Sequence, residues 1–186
     1  MIDLHPLIAA RQSRRLIDPD KSVRRVDIQS LLEAARWAPS CANKQPWRLV
    51  VSMDESLSAV RAALNRGNGW AKNAPVLMAL ASKPELDCQL NGRDYHTLGL
   101  GLALENLLLQ ASHLGLVVHP MAGFDEVQVK AALQIPDDFR VYVLVAVGHP
   151  GTADHVDAET LTKEQKPRTR NPLEAWVGWD RWPEPG

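Results

Sequence analysis

The sequence predicts an α+β fold. Three observations carry this: an amphipathic helical repeat over Ile28, Leu31, Leu32 and Ala35, several short apolar runs of strand length, and one long stretch with helical character from about Asp94 to Leu114. At 186 residues the chain is long enough for one sizeable core. No long linker divides it, so residues 1–186 read as a single domain.

The first helix stops where Pro39 follows Ala38, because proline disfavours helical geometry at the residue before it. Trp47 to Val51 is then a short strand. Leu57, Val60 and Leu64 mark a second helix face, with Gly67 as its expected C-terminal cap. Pro75 precedes Val76–Ala81, an apolar run that fits a strand buried on both faces. The long helix that follows closes at Gly115 and is apolar around most of its circumference, so it needs cover on all sides. A second subunit is a natural source of part of that cover. Leu116–Met121 reads as a strand broken by Pro120, Asp125 as the cap of a helix running to Leu133, and Val141–Val147 as a strand. After Gly148 the chain turns charged and proline-rich without a clear period, yet it holds Trp176, Trp179 and Trp182, three of the six tryptophans. Aromatic side chains seldom stay unburied, so this tail is expected to pack on a subunit surface.

Composition excludes several classes. A formal net charge of −1 argues against bulk nucleic-acid binding, which calls for a basic excess. The apolar stretch Leu98–Leu109 is interrupted by Glu105 and Asn106 and is too short to span a membrane. Two cysteines, Cys41 and Cys88, make no disulfide framework and match no metal spacing, which suits a reducing compartment; with no signal-peptide pattern at the start, cytoplasm is the expected location. The six histidines lack a ligand pattern, and Gly99-Leu-Gly101 lacks the third glycine and preceding strand of a dinucleotide fingerprint.

Residues 37 to 48, Trp-Ala-Pro-Ser-Cys-Ala-Asn-Lys-Gln-Pro-Trp-Arg, are the most informative stretch. Two prolines stiffen a helix-to-strand turn that carries Ser40, Asn43 and Gln45, and such loops are where ligands are held. Near the start, Arg11-Gln-Ser13-Arg14-Arg15 offers guanidinium forks and a hydroxyl suited to a phosphate. A late basic group, Lys166-Pro-Arg168-Thr-Arg170, is the third feature.

In this order, and together with Asn73-Ala-Pro75, Ala111-Ser-His-Leu-Gly115, Gly123-Phe124 and Val147-Gly-His-Pro150, these features resemble the FMN-binding nitroreductase family over most of the chain. The resemblance implies a three-layer α/β/α sandwich with a mixed, mainly antiparallel sheet. It implies a homodimer with FMN at the interface, in which residues 151–186 form a C-terminal extension packing on the partner. The implied activity is ping-pong hydride transfer from NAD(P)H, through flavin N5, to a nitroaromatic, quinone or similar small acceptor. Other flavin reactions on the same fold, such as dehalogenation, dehydrogenation or flavin breakdown, and a non-catalytic FMN-binding role are the alternatives.

Residue by residue, the resemblance brings Arg11, Ser13, Arg168 and Arg170 to one FMN phosphate. It places Arg15 where a cation meets the pyrimidine side of the flavin, the edge that gains negative charge on reduction. Pro39, Ser40 and Asn43 fall at the ribityl chain or ring. Asn68 lies in Gly67-Asn-Gly-Trp70, where a turn is the favoured role, although the resemblance implies a polar ring contact hereabouts. Ala122 or Gly123 supplies a backbone amide near N5; a turn needing glycine explains Gly123 alone. Cys41 reads as a small buried filler rather than a nucleophile, and Trp47 as core. The sequence offers no acid, base or nucleophile set of its own, as expected where a cofactor carries the chemistry.

Overall fold

In chain order the elements are α1 (Pro6–Ala10), α2 (Arg25–Arg36), β1 (Arg48–Ser52), α3 (Leu57–Ala62), β2 (Val76–Ser82), the two-residue strands β3 (Gln89–Leu90) and β4 (Arg93–Asp94), α4 (His96–His113), β5 (Val117–Met121), α5 (Glu126–Leu133), β6 (Arg140–Gly148) and α6 (Ala158–Glu164). The computed structural model describes residues 3–183. The main sheet has the order β1-β2-β6-β5, and β3 and β4 form a separate small hairpin. The sheet expected to be mixed is antiparallel in every pairing among the described residues.

Alternation along the strands creates the layers, because successive side chains leave a strand on opposite faces. On β2, Leu77, Ala79 and Ala81 join a cluster with Val60 of α3 and Val129 of α5. Val76, Met78 and Leu80 join the opposite cluster, which contains Ile28, Leu31 and Ala35 of α2 and Leu100, Ala103 and Leu107 of α4. All seven residues of β2 are buried, as an apolar strand covered by helices on both faces must be. The three-layer α/β/α arrangement follows directly.

Local chemistry sets most boundaries. Asp125 caps α5 as expected, its carboxylate accepting from the Gln128 N–H. Two expectations are corrected. Pro120 does not break β5; it pairs opposite Val145 within a continuous strand at the sheet edge, where its missing N–H leaves no ladder bond unmade. Gly67 does not cap α3. The helix ends at Ala62, and the Ala63 carbonyl that a cap would satisfy accepts instead from the Asp125 N–H at 2.8 Å, a partner 62 residues further on. Gly67 lies in the 3₁₀ segment Arg66–Asn73 that follows.

The long helix α4 buries Leu100, Ala103, Leu107 and Ala111 but leaves Leu98 57% and Leu102 38% exposed. Trp176, Trp179 and Trp182 are 63%, 85% and 87% exposed. These side chains leave apolar surface open to solvent within one chain. No helix among the described residues is long and apolar enough to cross a membrane.

Candidate functional site

The basic residues near the two ends of the chain meet. The N-terminal segment is tied to the end of β6, where Ile17 bridges Pro150, Asp18 N–H donates to His149 O at 3.0 Å and Gly151 N–H donates to Leu16 O at 2.9 Å. From there the chain enters α6, whose first turn is capped by the Asp157 carboxylate accepting from Thr160 N–H. The helix carries Glu164 back to the start of the chain. Its largely buried carboxylate accepts from Arg14 Nε at 3.1 Å and from the Arg15 N–H at 2.8 Å.

Between these segments lies a cavity of about 210 Å³, lined by Arg11, Ser13 and Arg15 on one side and by Lys166, Arg168 and Arg170 on the other, with Gln12, Lys163 and Glu164 completing it. Six cationic side chains and one carboxylate face it, and that carboxylate is engaged by Arg14 and the Arg15 amide. The balance suits an anion with several oxygens. Its volume is below the roughly 300–1,000 Å³ of pockets that enclose whole ligands. It therefore suits the charged group of a larger molecule. Arg168 Nη1 also donates to Ala9 O at 2.7 Å, which fixes it against the N-terminal segment of the same chain.

His119 holds the backbone that carries Arg15. Its Nδ1 lies 3.1 Å from the Arg14 carbonyl, an acceptor, so Nδ1 carries the proton and donates. Arg14 C=O and Arg15 N–H belong to one peptide unit, which is thus gripped on one edge by His119 and on the other by Glu164. That grip sets the direction in which the Arg15 side chain leaves the backbone. Burial pushes the His119 imidazole down to about 4, against the raising effect of its hydrogen bond to Arg14 and with a further lowering by the Arg15 charge. The ring stays neutral at physiological pH. It also stacks at a tilt on Trp70, with ring centroids 4.6 Å apart.

The loop after α2 forms a second group. Ser40 Oγ accepts from the Gln45 N–H at 2.9 Å, and Gln45 Nε2 donates to Asn43 O at 2.9 Å and to Asn43 Oδ1 at 3.2 Å. Trp47 is buried as expected, at 9% exposure. Ala42, Asn43 and Gln45 have φ of 48°, 55° and 51°, a region in which non-glycine residues are held at a cost of about 1–2 kcal/mol each. Pro39, Ser40 and Cys41 face a separate, mainly apolar cavity of about 400 Å³ with Leu90, Tyr95 and Leu98. Asn43 lines neither cavity.

Cys41 corrects the sequence reading. It is no buried filler: its Sγ is bonded to that of Cys88, with Cα atoms 6.0 Å apart. Two cysteines 47 residues apart gave no sign of pairing because the helix-to-strand loop and the segment after β2 meet only in the folded chain. Asp87 places a carboxylate oxygen within 4.8 Å of both sulfurs, but the sulfurs are bonded to each other and offer no thiolates.

Asn68 and Gly123 form a third group and engage one another. Asn68 Nδ2 donates to Gly123 O at 2.9 Å, and the Asn65 N–H donates to the same carbonyl at 3.2 Å. A Cβ at Gly123 would stand 2.8 Å from Asn68 Nδ2, so a side chain there would push that amide aside; Gly123 has no positive φ, so the expected turn does not account for it. Ala122 is exposed beside it. The structure thus gathers Arg11, Ser13, Arg15, Arg168 and Arg170 into one cavity, and keeps Pro39, Ser40 and Asn43, and the Asn68–Gly123 pair, apart from it within one chain. Sequence reading passed over Lys163 and Glu164; the Asp157-x-x-Thr160 helix start was the available sign that the chain turns back here.

The fold is a three-layer α+β sandwich whose basic cavity is built from both ends of the chain. The chain belongs to the nitroreductase family, whose model matches residues 8–65 and 53–149. It is 30% identical over 187 residues to a Thermus thermophilus protein named NADH dehydrogenase, covering 82% of this chain and 84% of that one. It is also similar to the crystal structure of an oxidoreductase containing FMN, with a TM-score of 0.85 and 30% identity over 100% of this chain and 95% of that chain. A nitroreductase family protein from Clostridium novyi NT superposes with a TM-score of 0.73 at 25% identity, over 84% and 89% of the two chains.

Proposed function

We propose that this protein is a homodimeric FMN-dependent oxidoreductase that uses NAD(P)H to reduce a small acceptor such as a nitroaromatic or quinone. The observation that carries the reading is the convergence of Arg11, Ser13 and Arg15 with Arg168 and Arg170 on one small cationic cavity. There Arg11 and Ser13 and the two late arginines take the FMN phosphate. The cavity is too small for the rest of the cofactor, so the ring would be held outside it, and Arg15, its backbone fixed by Glu164 and by the His119 bond to Arg14, would supply the cation at the pyrimidine edge.

FMN, when bound, supplies the redox chemistry by taking a hydride from the nicotinamide at N5 and passing it to the acceptor. The chain's own part is to bind and orient. Pro39, Ser40 and Asn43, and the backbone at Ala122 and Gly123 with Asn68, complete the site when a second copy brings its loop beside the basic cavity. What supports a second copy is the open apolar surface at Leu98, Leu102 and Leu90, and the exposed tryptophans of the 151–186 extension, which in this reading wraps the partner. Cytoplasm, where reduced nicotinamide is supplied, belongs to the same proposal.

Purified protein is expected to be yellow with an FMN spectrum that bleaches anaerobically with NADH or NADPH and returns with a nitro compound. A colourless preparation that FMN cannot reconstitute would sink the reading. Arg168→Ala is expected to weaken FMN binding by about 1–3 kcal/mol, the scale of a charge-assisted hydrogen bond. Fluorescence titration of apoprotein with FMN measures it, and an unchanged Kd would remove Arg168 from the phosphate site.

A further inference from the structure

We propose that the Cys41–Cys88 disulfide is a redox modification site, opened by a dithiol reductant, that sets how firmly the loop carrying Ser40 and Asn43 is held for FMN. The second half of this inference rests on the FMN reading above; the first half does not. Three observations carry it: where the bond lies, what it restrains, and how it is reached.

The bond lies inside the cofactor loop. Cys41 is next to Ser40 and two residues from Asn43, while Cys88 belongs to the segment between β2 and the β3–β4 hairpin. The loop it restrains is not relaxed. Ala42, Asn43 and Gln45 all have left-handed backbone geometry, which persists only where surrounding contacts impose it. Two of the contacts within the loop, Gln45 N–H to Ser40 Oγ and Gln45 Nε2 to Asn43, move with it and anchor it to nothing. The noncovalent tie from the strained residues to the 87–88 segment is Lys44 Nζ to Asp87 O at 3.3 Å, from an exposed side chain. The disulfide is the covalent tie.

The far end of the loop is held independently. Ser82 Oγ donates to Pro46 O at 2.7 Å, and Pro46 sits so close over Gly99 of α4 that a Cβ there would stand 2.9 Å from its Cγ. Opening the disulfide therefore removes the covalent restraint on residues 40 to 45, leaves them the side-chain ties of Lys44 Nζ to Asp87 O and Arg48 Nη1 to Gln45 O, each at 3.3 Å, and leaves Pro46, Trp47 and β1 in place. The effect is a local loosening of the cofactor loop rather than unfolding.

The bond can be reached. Both cysteines are only partly buried, and Cys88 is not among the residues lining the apolar cavity at Leu90, Leu98 and Leu102 that the second copy covers. A thiolate of a dithiol reductant attacks Cys88 Sγ, forms a mixed disulfide and displaces Cys41 as thiolate, which takes up a proton. The reductant's second thiolate then attacks the reductant sulfur in the mixed disulfide and displaces Cys88, which is protonated in turn. The protein gains two electrons and two protons as two thiols, and the dithiol becomes a disulfide. In a reducing compartment, disulfides are of this transient, regulatory kind.

Dithiothreitol serves as the probe dithiol, applied to the full-length protein. Alkylation of protein purified without reductant should find no free thiol, and two after treatment. Hydrogen exchange should rise at residues 41–45 on reduction and stay unchanged in β1 and α4. FMN titration of apoprotein should give a Kd weaker by about tenfold in the reduced form, within the usual range of coupling between two events on one protein. Cys88→Ser should match the reduced form with or without dithiothreitol, and Cys41→Ala with Cys88→Ala should do the same, which separates loss of the bond from the chemistry of a lone thiol. Two free thiols in protein purified without reductant, or unaltered exchange at 41–45, overturns the redox site. Looser exchange with an unchanged FMN Kd overturns the coupling to the cofactor. Looser exchange with no FMN binding in either state leaves the redox site standing and overturns the FMN reading instead.

Discussion

Leu107→Ala is expected to destabilise the protein by about 2–5 kcal/mol, the cost of emptying a fully buried leucine site that cannot collapse. Leu107 is 0% exposed and sits on the inner face of α4. It belongs to the cluster that contains Leu31 and Ala35 of α2 and Met78 and Val145 of the sheet. One truncation thus opens a void shared by two helices and two strands, and close-packed surroundings relax into such a void only in part. Urea unfolding followed by circular dichroism measures the effect as a drop in midpoint at constant slope. A loss under about 1 kcal/mol would mean that α4 does not pack on the sheet through this face.

The second large effect concerns pH. His119 has its folded pKa lowered to about 4 from an ordinary value near 6.5 in the unfolded chain. Between those two values the unfolded chain binds a proton that the folded protein refuses, so stability rises with pH across that window. The contribution is fully present above about pH 6.5 and is lost as pH falls toward 4, a change of up to about 3 kcal/mol for a shift of this size. His119→Asn keeps a short donor toward the Arg14 carbonyl and removes the titration. Its stability should therefore fall less steeply than the wild type's between pH 6.5 and 4, while at pH 8 it is the less stable of the two through lost packing on Trp70. Equal slopes for the two proteins in that window would show that His119 is not held neutral by burial.

Helices and strands were legible where a local period determines them. The i, i+3, i+4, i+7 repeat of Ile28, Leu31, Leu32 and Ala35 places α2 in the structure, and the apolar run at 76–81 becomes the doubly covered β2. Both signals are short-range, since each residue's face follows from its own neighbours. The cap at Asp125 was readable for the same reason. Gly67 misled because the end of α3 is satisfied by Asp125, a residue that sequence distance puts out of sight. Pro120 misled because its cost depends on whether β5 lies at the edge or the centre of the sheet, which no local pattern encodes.

Of the candidate site, residue types and their order could be read in the chain: two clusters of guanidiniums with a hydroxyl, and a proline-stiffened polar loop between a helix and a strand. Those are matters of side-chain chemistry, and chemistry is local. That Arg15 and Arg168 share a cavity, that Glu164 and His119 grip the peptide between Arg14 and Arg15, and that Cys41 is bonded to Cys88, are matters of distance. Only the tertiary structure decided them, because it alone brings together segments that the chain separates by 47 to 153 residues.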